Sequence, residues 1–468
     1  MNWQDLIDNA PGRGQNRPES VGHTGQSIAN RFGLDEYFQL RDDLGNQTIL
    51  VVNFLDAISQ KVPLAEAARK AAGLVAYANA PLGKPLPESM PNWPEIRARN
   101  GHPRPFGADY IQIGNEWWAY LDKARVDGNL KDPSALADWF LTCLRTYIRE
   151  IRAVDPDVQL IVDGRIGQSI EAIVLADPEV RAQVKFAALH LYAPGPMENL
   201  QRNGQPFAFK NLSDEDWWKA WAAMPGVFSA AGENIALGQG TDLARSLGYR
   251  VAVTEWNWNG WTTAQTNPKP NMSWSLASGI GTAGFLNGLM RSGDRIAIAC
   301  QSMLVGANWN ITSIRIDPEA KAPPYFLPQG QMTMFYSQHH GRHRLAVTSG
   351  TLPRYNQPFS MGWSQRPSYP VADIDLVATV DDRAVYVHAI NRSFATDYPI
   401  TLNLEALQNL TETATHYVWS RRSRAWPFQP VPPEIGQITA QVKPLSRRQL
   451  SVTLPKQSAS IIEIPFHP

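Results

Sequence analysis

The chain has 468 residues, which is enough for a barrel-sized domain and a smaller second one. Lysine plus arginine and aspartate plus glutamate both number 43, so the formal net charge is zero. This balance argues against nucleic acid or an anionic membrane as the main partner, and no apolar run approaches the roughly 20 residues of a membrane-spanning helix.

The first 30 residues are interrupted by proline and glycine, and we predict an irregular start. Stretches with strand and helix patterns then alternate. Predicted strands lie at 48–54, 110–116, 158–162, 184–192, 250–255 and 296–305. Predicted helices lie at 32–40, 64–79, 134–153, 217–223 and 273–292. The proline-rich stretch 80–107 is predicted to be an extended loop.

Alternating strands and helices are typical of an α/β fold with a parallel sheet. From about residue 330 the pattern changes to short alternating runs separated by turn residues, which predicts an antiparallel β-sandwich. We therefore predict a (β/α)8 TIM-type barrel over residues 1–330 and a sandwich over residues 331–468. A doubly wound sheet is the alternative fold, although no glycine-rich phosphate loop follows any predicted strand.

Two predicted strands end in a glutamate beside asparagine and tryptophan. The two runs are Gly114-Asn115-Glu116-Trp117-Trp118 and Thr254-Glu255-Trp256-Asn257. Because the carboxyl ends of barrel strands form the catalytic face, we expect Glu116 and Glu255 to act together. Glycoside hydrolysis needs such a pair, since one carboxyl protonates the leaving oxygen and the other attacks or stabilises the sugar cation. The alternative for each is a carboxylate that caps the next helix.

The order of several short motifs resembles clan A retaining glycoside hydrolases. More narrowly, it is similar to the α-L-arabinofuranosidases of glycoside hydrolase family 51, over roughly residues 30–468. The motifs are Phe32-Gly33-Leu34-Asp35-Glu36, Gly114-Asn115-Glu116, His190-Leu191-Tyr192, Thr254-Glu255-Trp256-Asn257 and Gln301. The resemblance implies a double-displacement reaction on an oligosaccharide or polysaccharide, without a metal or cofactor.

The resemblance also implies a role for each matching residue. Glu116 would be the general acid/base and Glu255 the nucleophile. Asn115 would bind the sugar hydroxyl next to the reacting carbon, and Tyr192 would orient Glu255. The remaining predicted substrate-binding residues are Asn53, His190, Trp256 and Gln301.

Three functions stay open on the sequence alone. The first is an exo-acting arabinofuranosidase-like hydrolase. The second is another clan A enzyme, either a β-xylosidase or an endo-acting polysaccharide hydrolase. The third is a non-catalytic sugar-binding remnant. A homo-oligomer is also left open. We expect a cytoplasmic location if Met1 is the true start, and an extracytoplasmic one if a further segment precedes it.

The resemblance further implies a first barrel strand for which this sequence offers no candidate. The second barrel strand is only weakly marked, around residues 19–24. Because a closed barrel needs eight strands with matched tilt and shear, we expect either a gap at this place or a segment from residues 1–30 that fills it.

Overall fold

The computed structural model describes residues 2–7, 16–22, 25–121, 124, 132–164, 168–196, 200–208, 211–222, 241–261, 276–307, 312–317, 319, 321–361, 370–420 and 436–467. Its α-helices are α1 Leu34–Leu44, α2 Leu55–Ile58, α3 Leu64–Asn79, α4 Trp93–Arg99, α5 Pro133–Val154, α6 Gln168–Ala176, α7 Pro178–Gln183, α8 Asp214–Ala222, α9 Thr241–Ser246, α10 Leu276–Ser292 and α11 Pro328–Gln338. Short 3-10 helices lie at Trp3–Leu6, Trp117–Tyr120 and Gly293–Arg295.

The strands are β1 Ser20–Val21, β2 Ser27–Ile28, β3 Ile49–Val52, β4 Tyr110–Ile113, β5 Gln159–Asp163, β6 Phe186–Pro196, β7 Leu200–Arg202, β8 Gln205–Pro206, β9 Arg250–Trp261, β10 Ile296–Gln301, β11 Val305–Gly306, β12 Ile314–Arg315, β13 Tyr325–Phe326, β14 His343–Leu345, β15 Arg354–Asn356, β16 Phe359–Met361, β17 Pro370–Ala372, β18 Ile374–Val380, β19 Ala384–Asn391, β20 Tyr398–Asn403, β21 Thr413–Ser420, β22 Gln437–Pro444, β23 Gln449–Leu454 and β24 Ser458–Pro465.

The main sheet has six strands in the order β10-β9-β6-β5-β4-β3. Strands β3 to β6 pair in parallel, with Val52 opposite Ile113 and Ile161 opposite Phe186. These strands are rich in β-branched residues, which suit a sheet covered on both faces. Helices alternate with these strands along the chain, and antiparallel sheets follow. The predicted fold class is confirmed.

By their internal contacts the residues form two compact units, Met1–Leu189 with Gln239–Ala252, and His190–Gly238 with Val253–Pro468. The predicted domain bounds at 1–330 and 331–468 stay a prediction. In the first unit, α3 and α5 contribute to one apolar core together with β3 and β4. Helix α3 is rich in alanine, and small side chains let α5 approach it closely. None of the helices in the described part of the chain is both long and apolar enough to cross a membrane.

Two predictions for the first unit are wrong. The weakly marked strand near residues 19–24 is the short antiparallel hairpin β1–β2, which joins no other strand among the described residues. The stretch 80–107 is not wholly extended, because α4 lies inside it. The Asn92 side chain accepts the Glu95 amide and Pro94 occupies the first turn, so the sequence carries a start signal for this helix.

The place expected for the first barrel strand is beside β3, at the edge of the sheet. Among the described residues, β3 is an edge strand that pairs only with β4. Alternation along β3 leaves Val52 3% exposed and Val51 49% exposed. The described residues among the first 30 form a 3-10 helix and the hairpin β1–β2, and neither adds a strand to this edge.

The second unit contains the predicted sandwich. Its larger sheet has the order β14-β18-β19-β24-β21-β22, and β20 pairs with β23 in a two-stranded sheet. Alternate residues of β23 are buried, and they share an apolar core with β18, β19 and β24. The other side of β19 is also buried. Helix α10, in the same unit, lies close to Trp419 of β21, because a Cβ atom added at Gly279 would meet the Trp419 ring at 2.4 Å.

Candidate active site

Glu116 lies in a tight turn directly after β4. Gly114 has φ +74° and Glu116 has φ +52°, so two of three successive residues adopt the left-handed conformation. Only the first is a glycine, and the second costs about 1–2 kcal/mol for a residue with a side chain. Glu116 is also the N-cap residue directly before the 3-10 helix Trp117–Tyr120. The turn ends the strand and holds the carboxylate in a partly buried position.

Buried polar groups hold this turn in place. Asp163, at the end of β5, accepts the Trp117 backbone amide at 2.7 Å. The Trp117 indole donates to the Ile113 carbonyl at 2.7 Å and stacks on Phe54, so this tryptophan belongs to the core. In contrast, Trp118 is 52% exposed. The unusual backbone at Glu116 is therefore supported on both sides by contacts to β4 and β5.

Asn115, the predicted ligand of a sugar hydroxyl, is positioned by two neighbours. Gln112 is buried and donates from Nε2 to the Gly114 carbonyl at 3.0 Å and to Asn115 Oδ1 at 3.4 Å. The Asn115 backbone N–H donates to the Tyr120 hydroxyl at 3.2 Å. Burial raises the pKa of Tyr120, and the charges of Asp163 and Glu116 raise it further, so the tyrosine stays neutral.

Glu255 lies in β9, within a hydrogen-bonded cluster of the second unit. The Tyr192 hydroxyl donates to Glu255 Oε2 at 2.7 Å, and Ser302 Oγ lies 2.8 Å from the same hydroxyl. His190 Nδ1 is 3.5 Å from Glu255 Oε2. The Glu255 side chain is 31% exposed, so one side of it is open to solvent.

The surroundings of Glu255 are held by contacts between β9 and β10. The Ser302 amide donates to the Trp256 carbonyl at 2.9 Å, and buried Asn257 donates to the Ser302 carbonyl. Gln301 bonds Asn257 Oδ1 at 3.4 Å, and Ser313 donates to Gln301 at 3.0 Å. Both ends of the Gln301 side-chain amide therefore bind other side chains of the protein, in the strand beside that of Glu255.

Three features of the predicted site differ from the expectation: the end of β9, the position of the Trp256 ring and the contacts of Asn53. Strand β9 does not end at Glu255 but continues to Trp261, and directly after the glutamate the Trp256 carbonyl accepts the Ser302 amide. Trp256 is 2% exposed and stacks on Phe285, so its ring is part of the interior. Asn53 binds Asp56 through both ends of its amide, which is a local turn contact.

The sequence reasoning missed Ser302, Gln112 and Tyr120. A signal existed for Gln112, because an amide within an apolar strand needs a polar partner. For Ser302 the signal was its place directly after Gln301. Nothing in the sequence pairs Asp163 with the Trp117 amide, since that contact depends on the register of β4 against β5.

Comparison with known proteins gives the class to which this architecture corresponds. A family model described as "Alpha-L-arabinofuranosidase 1 domain" matches residues 2–202. An arabinofuranosidase structure from Thermotoga maritima superposes with a TM-score of 0.70 at 18% identity, covering 100% of this chain and 85% of that one. A family 51 arabinofuranosidase from Xanthomonas axonopodis pv. citri gives 0.69 at 16% identity, covering 99% and 84%. The fold is that of these glycoside hydrolases.

A curated relative carries the comparison over the whole sequence. It is the "Intracellular exo-alpha-(1->5)-L-arabinofuranosidase" of Streptomyces lividans, 24% identical over 95% of this chain. The alignment covers 63% of the relative, so this chain corresponds to rather less than two thirds of its length. The predicted resemblance is confirmed: the chain is similar to the family 51 α-L-arabinofuranosidases in sequence and in fold.

Proposed function

We propose that this protein is a retaining glycoside hydrolase that removes terminal α-L-arabinofuranosyl groups. The observation that carries the proposal is the Glu255 carboxylate, which is partly open to solvent and accepts the Tyr192 hydroxyl at 2.7 Å. The similarity to arabinofuranosidases supports the choice of sugar, and the printed name of the Streptomyces lividans relative supports exo action.

Glu255 is the nucleophile in this mechanism. It must be ionised to attack the anomeric carbon, and the Tyr192 hydroxyl donates a hydrogen bond to its carboxylate. Because Oε2 receives that bond, Oε1 is the oxygen that forms the covalent bond to the sugar. Ser302 lies against the same tyrosine hydroxyl and fixes its direction. The pair thus holds the carboxylate in one orientation before substrate binds.

Glu116 is the general acid and later the general base. It protonates the leaving oxygen in the first step and removes a proton from water in the second. A retaining mechanism requires the two carboxyl groups to be about 5–5.5 Å apart when substrate is bound. The supported left-handed turn suits this role, because it fixes where the Glu116 side chain leaves the backbone.

Asn115 binds the hydroxyl beside the reacting carbon. Its Oδ1 is taken by Gln112, which leaves Nδ2 to donate to the sugar. Such a hydrogen bond contributes most when it strengthens in the transition state. Gln112 is a positioning residue in this account, because it fixes the rotation of the Asn115 amide.

A panel of 4-nitrophenyl glycosides tests the proposal. We expect the α-L-arabinofuranoside to be cleaved far faster than the β-D-xylopyranoside, and polysaccharides to release single arabinose units. Glu255→Gln should abolish turnover, whereas the exposed Glu319→Gln should leave it unchanged. Preferred cleavage of xylosides would contradict the proposed sugar specificity, and release of long oligosaccharides would contradict exo action. Absence of turnover on every substrate would support the non-catalytic alternative.

A further inference from the structure

The last strand of the larger sandwich sheet has one open edge. Strand β22, Gln437–Pro444, pairs with β21 on one side, and no other strand in the described part of the chain pairs with its other side. Successive side chains of a strand point to opposite faces of its sheet, yet every residue of β22 except Lys443 is exposed. The strand is therefore open to solvent on both faces and along one edge.

The two edges of this sheet differ in their protection against pairing with a further strand. The opposite edge, β14, has only three residues, and two of them are His343 and Arg344. Short length and charge are common means of blocking a sheet edge. Strand β22 has eight residues, and residues 437–442 contain neither a charge nor a proline. Instead, they include the apolar side chains of Ile438 and Val442, which are 36% and 70% exposed.

One hydrogen bond at the end of β22 shows which backbone groups face the open edge. The Leu445 backbone N–H donates to the carbonyl of Glu412, the residue directly before β21, at 2.8 Å. In an antiparallel pair, residues that bond the neighbouring strand alternate with residues whose N–H and C=O groups point away from it. The odd-numbered residues of β22 therefore bond β21. The N–H and C=O groups of Ile438, Ala440 and Val442 point to the open edge.

We infer that β22 pairs with β22 of a second copy of this chain, antiparallel and about a twofold axis at Ala440. In this register Ala440 lies opposite Ala440 of the second copy, and Ile438 lies opposite Val442 of the second copy. All three outward-facing residues of each copy then form hydrogen-bonded pairs, and each such pair exchanges two hydrogen bonds. The two copies contribute the same surface, as a twofold dimer requires.

The neighbouring registers offer fewer hydrogen bonds. A shift by two residues in one direction places Pro444 opposite Ile438, and proline has no N–H to donate. A shift by two residues in the other direction places Gly436 opposite Val442, but the Gly436 N–H already donates to Gln331 Oε1 at 3.0 Å. The register centred on Ala440 is therefore the one that uses every outward-facing group of the strand.

The side chains are also complementary in this register. Ile438 opposite Val442 forms an apolar β-branched pair on each side of the axis, and such cross-strand pairs stabilise a sheet. Lys443, the one charged residue of β22, lies opposite Gln437 of the second copy, so no like charges are opposed. The strand is complementary to itself, and this makes a second copy the partner that it fits.

The dimer should dissociate on dilution. A single pair of edge strands covers less than the roughly 1,000 Å² expected of a stable interface. The inference does not depend on the proposed hydrolase activity, because no residue of β22 has a role in that mechanism. Arabinofuranoside turnover per chain should be the same in the β22 variants as in the unchanged protein, so the two proposals can fail separately.

Sedimentation velocity on the full chain tests the inference, over a dilution series from about 300 µM to about 1 µM because association follows mass action. The variants are Ala440→Lys and Ala440→Glu, each alone and in an equimolar mixture. Thr453→Lys, on the exposed face of β23, is the charge-matched control. Melting temperatures show whether each variant is folded.

We expect the unchanged protein and Thr453→Lys to change from monomer to dimer as concentration rises. Ala440→Lys and Ala440→Glu should each weaken the dimer at least about tenfold, because like charges then lie directly opposite each other at the axis. The equimolar mixture should dimerise again, since opposite charges meet at the same place. This rescue is specific to a register in which position 440 pairs with itself.

Three results would overturn the inference. The unchanged protein could stay monomeric throughout the series, which would exclude a second copy as the partner of β22. Ala440→Lys could dimerise as tightly as Thr453→Lys, which would place the dimer contact on another surface. The mixture could dimerise no better than either variant alone, which would exclude the register centred on Ala440.

Discussion

Glu116 and Glu255 are held by different means. Glu116 owes its position to a left-handed turn that Asp163 supports through the Trp117 amide. Glu255 lies in extended backbone, and its side chain is fixed instead by the Tyr192 hydroxyl. The first arrangement fixes where the Glu116 side chain leaves the backbone, and the second fixes where the charged end of Glu255 lies. The two arrangements suit the roles proposed for these residues, acid/base for Glu116 and nucleophile for Glu255.

Tyr192→Phe should lower kcat by about 10- to 150-fold, because a hydrogen bond to a charged group contributes about 1.5–3 kcal/mol. Steady-state kinetics on the 4-nitrophenyl arabinofuranoside measures this effect. Tyr398→Phe is a matched control, since it removes another tyrosine–carboxylate bond, 2.8 Å to Asp373. Equal kcat values for Tyr192→Phe and the unchanged protein would contradict the proposal that Tyr192 positions Glu255.

Glu116→Ala should slow substrates with poor leaving groups by a factor on the order of 10²–10⁴, because these need protonation. Activated aryl glycosides should be much less affected in the first step. Azide should accelerate turnover of the variant by attacking the glycosyl-enzyme without a base. Equal slowing of both substrate types, without rescue by azide, would argue against the acid/base role.

At the scale of the elements, the edge strand β3 differs from the other strands of the first unit. Val51 and Val52 are neighbours, but one is 49% exposed and the other 3% exposed. Val52→Thr buries a hydroxyl group and should lower the free energy of unfolding by about 1–3 kcal/mol. Val51→Thr should change it by less than about 0.5 kcal/mol. Urea unfolding measures both, and equal losses would mean that the outer face of β3 is covered in solution.

Two buried histidines make the sandwich sensitive to acid. Burial lowers the pKa of His388 to about 3 and that of His416 to about 4. Between those values and the unfolded pKa of about 6.5 the unfolded chain binds more protons, so stability falls as pH falls. At pH 5 each histidine should cost about 2 kcal/mol relative to neutral pH.

Melting temperatures between pH 7 and pH 5 test this dependence. His416→Gln should reduce the slope of melting temperature against pH, and the exposed His343→Gln should leave it unchanged. The hydrogen bond between His416 and Ser460 is lost in the first variant, so its melting temperature should be lower at pH 7. An unchanged slope for His416→Gln would show that this histidine does not titrate in the window.

Across the whole molecule, elements with a strong period were predictable. Helix α3 matches the predicted range 64–79, because alanine and leucine recur at helical spacing and Pro63 precedes the helix. The sandwich strands were marked by alternation and by turn residues. Helix α4 was not predicted because its region is rich in proline, although one of these prolines lies in the first turn of the helix. Local sequence therefore predicted the element types, whereas the order of strands in the sheet depends on pairing between distant segments.

The candidate site was predictable only in part, for a physical reason. Glu116, Glu255 and Tyr192 were predicted because each stands in a short motif. The groups that position them, such as Asp163 and Ser302, come from other strands and are brought close by register. Trp256 carried the aromatic signal of a sugar site, yet it packs on Phe285. Residue type alone does not separate an indole that stacks on a sugar from one that fills the core.

Covalent trapping of the nucleophile is the most direct measurement of the proposed mechanism. The fluorine of an activated 2-deoxy-2-fluoro-arabinofuranosyl substrate slows both the formation and the hydrolysis of the glycosyl-enzyme. The good leaving group of the same substrate speeds formation, so the glycosyl-enzyme accumulates. Intact mass spectrometry should show one sugar per chain, and peptide mapping should place it on Glu255. Glu255→Ala should stay folded and gain no adduct. An adduct on another residue, or robust turnover by Glu255→Ala, would contradict the mechanism.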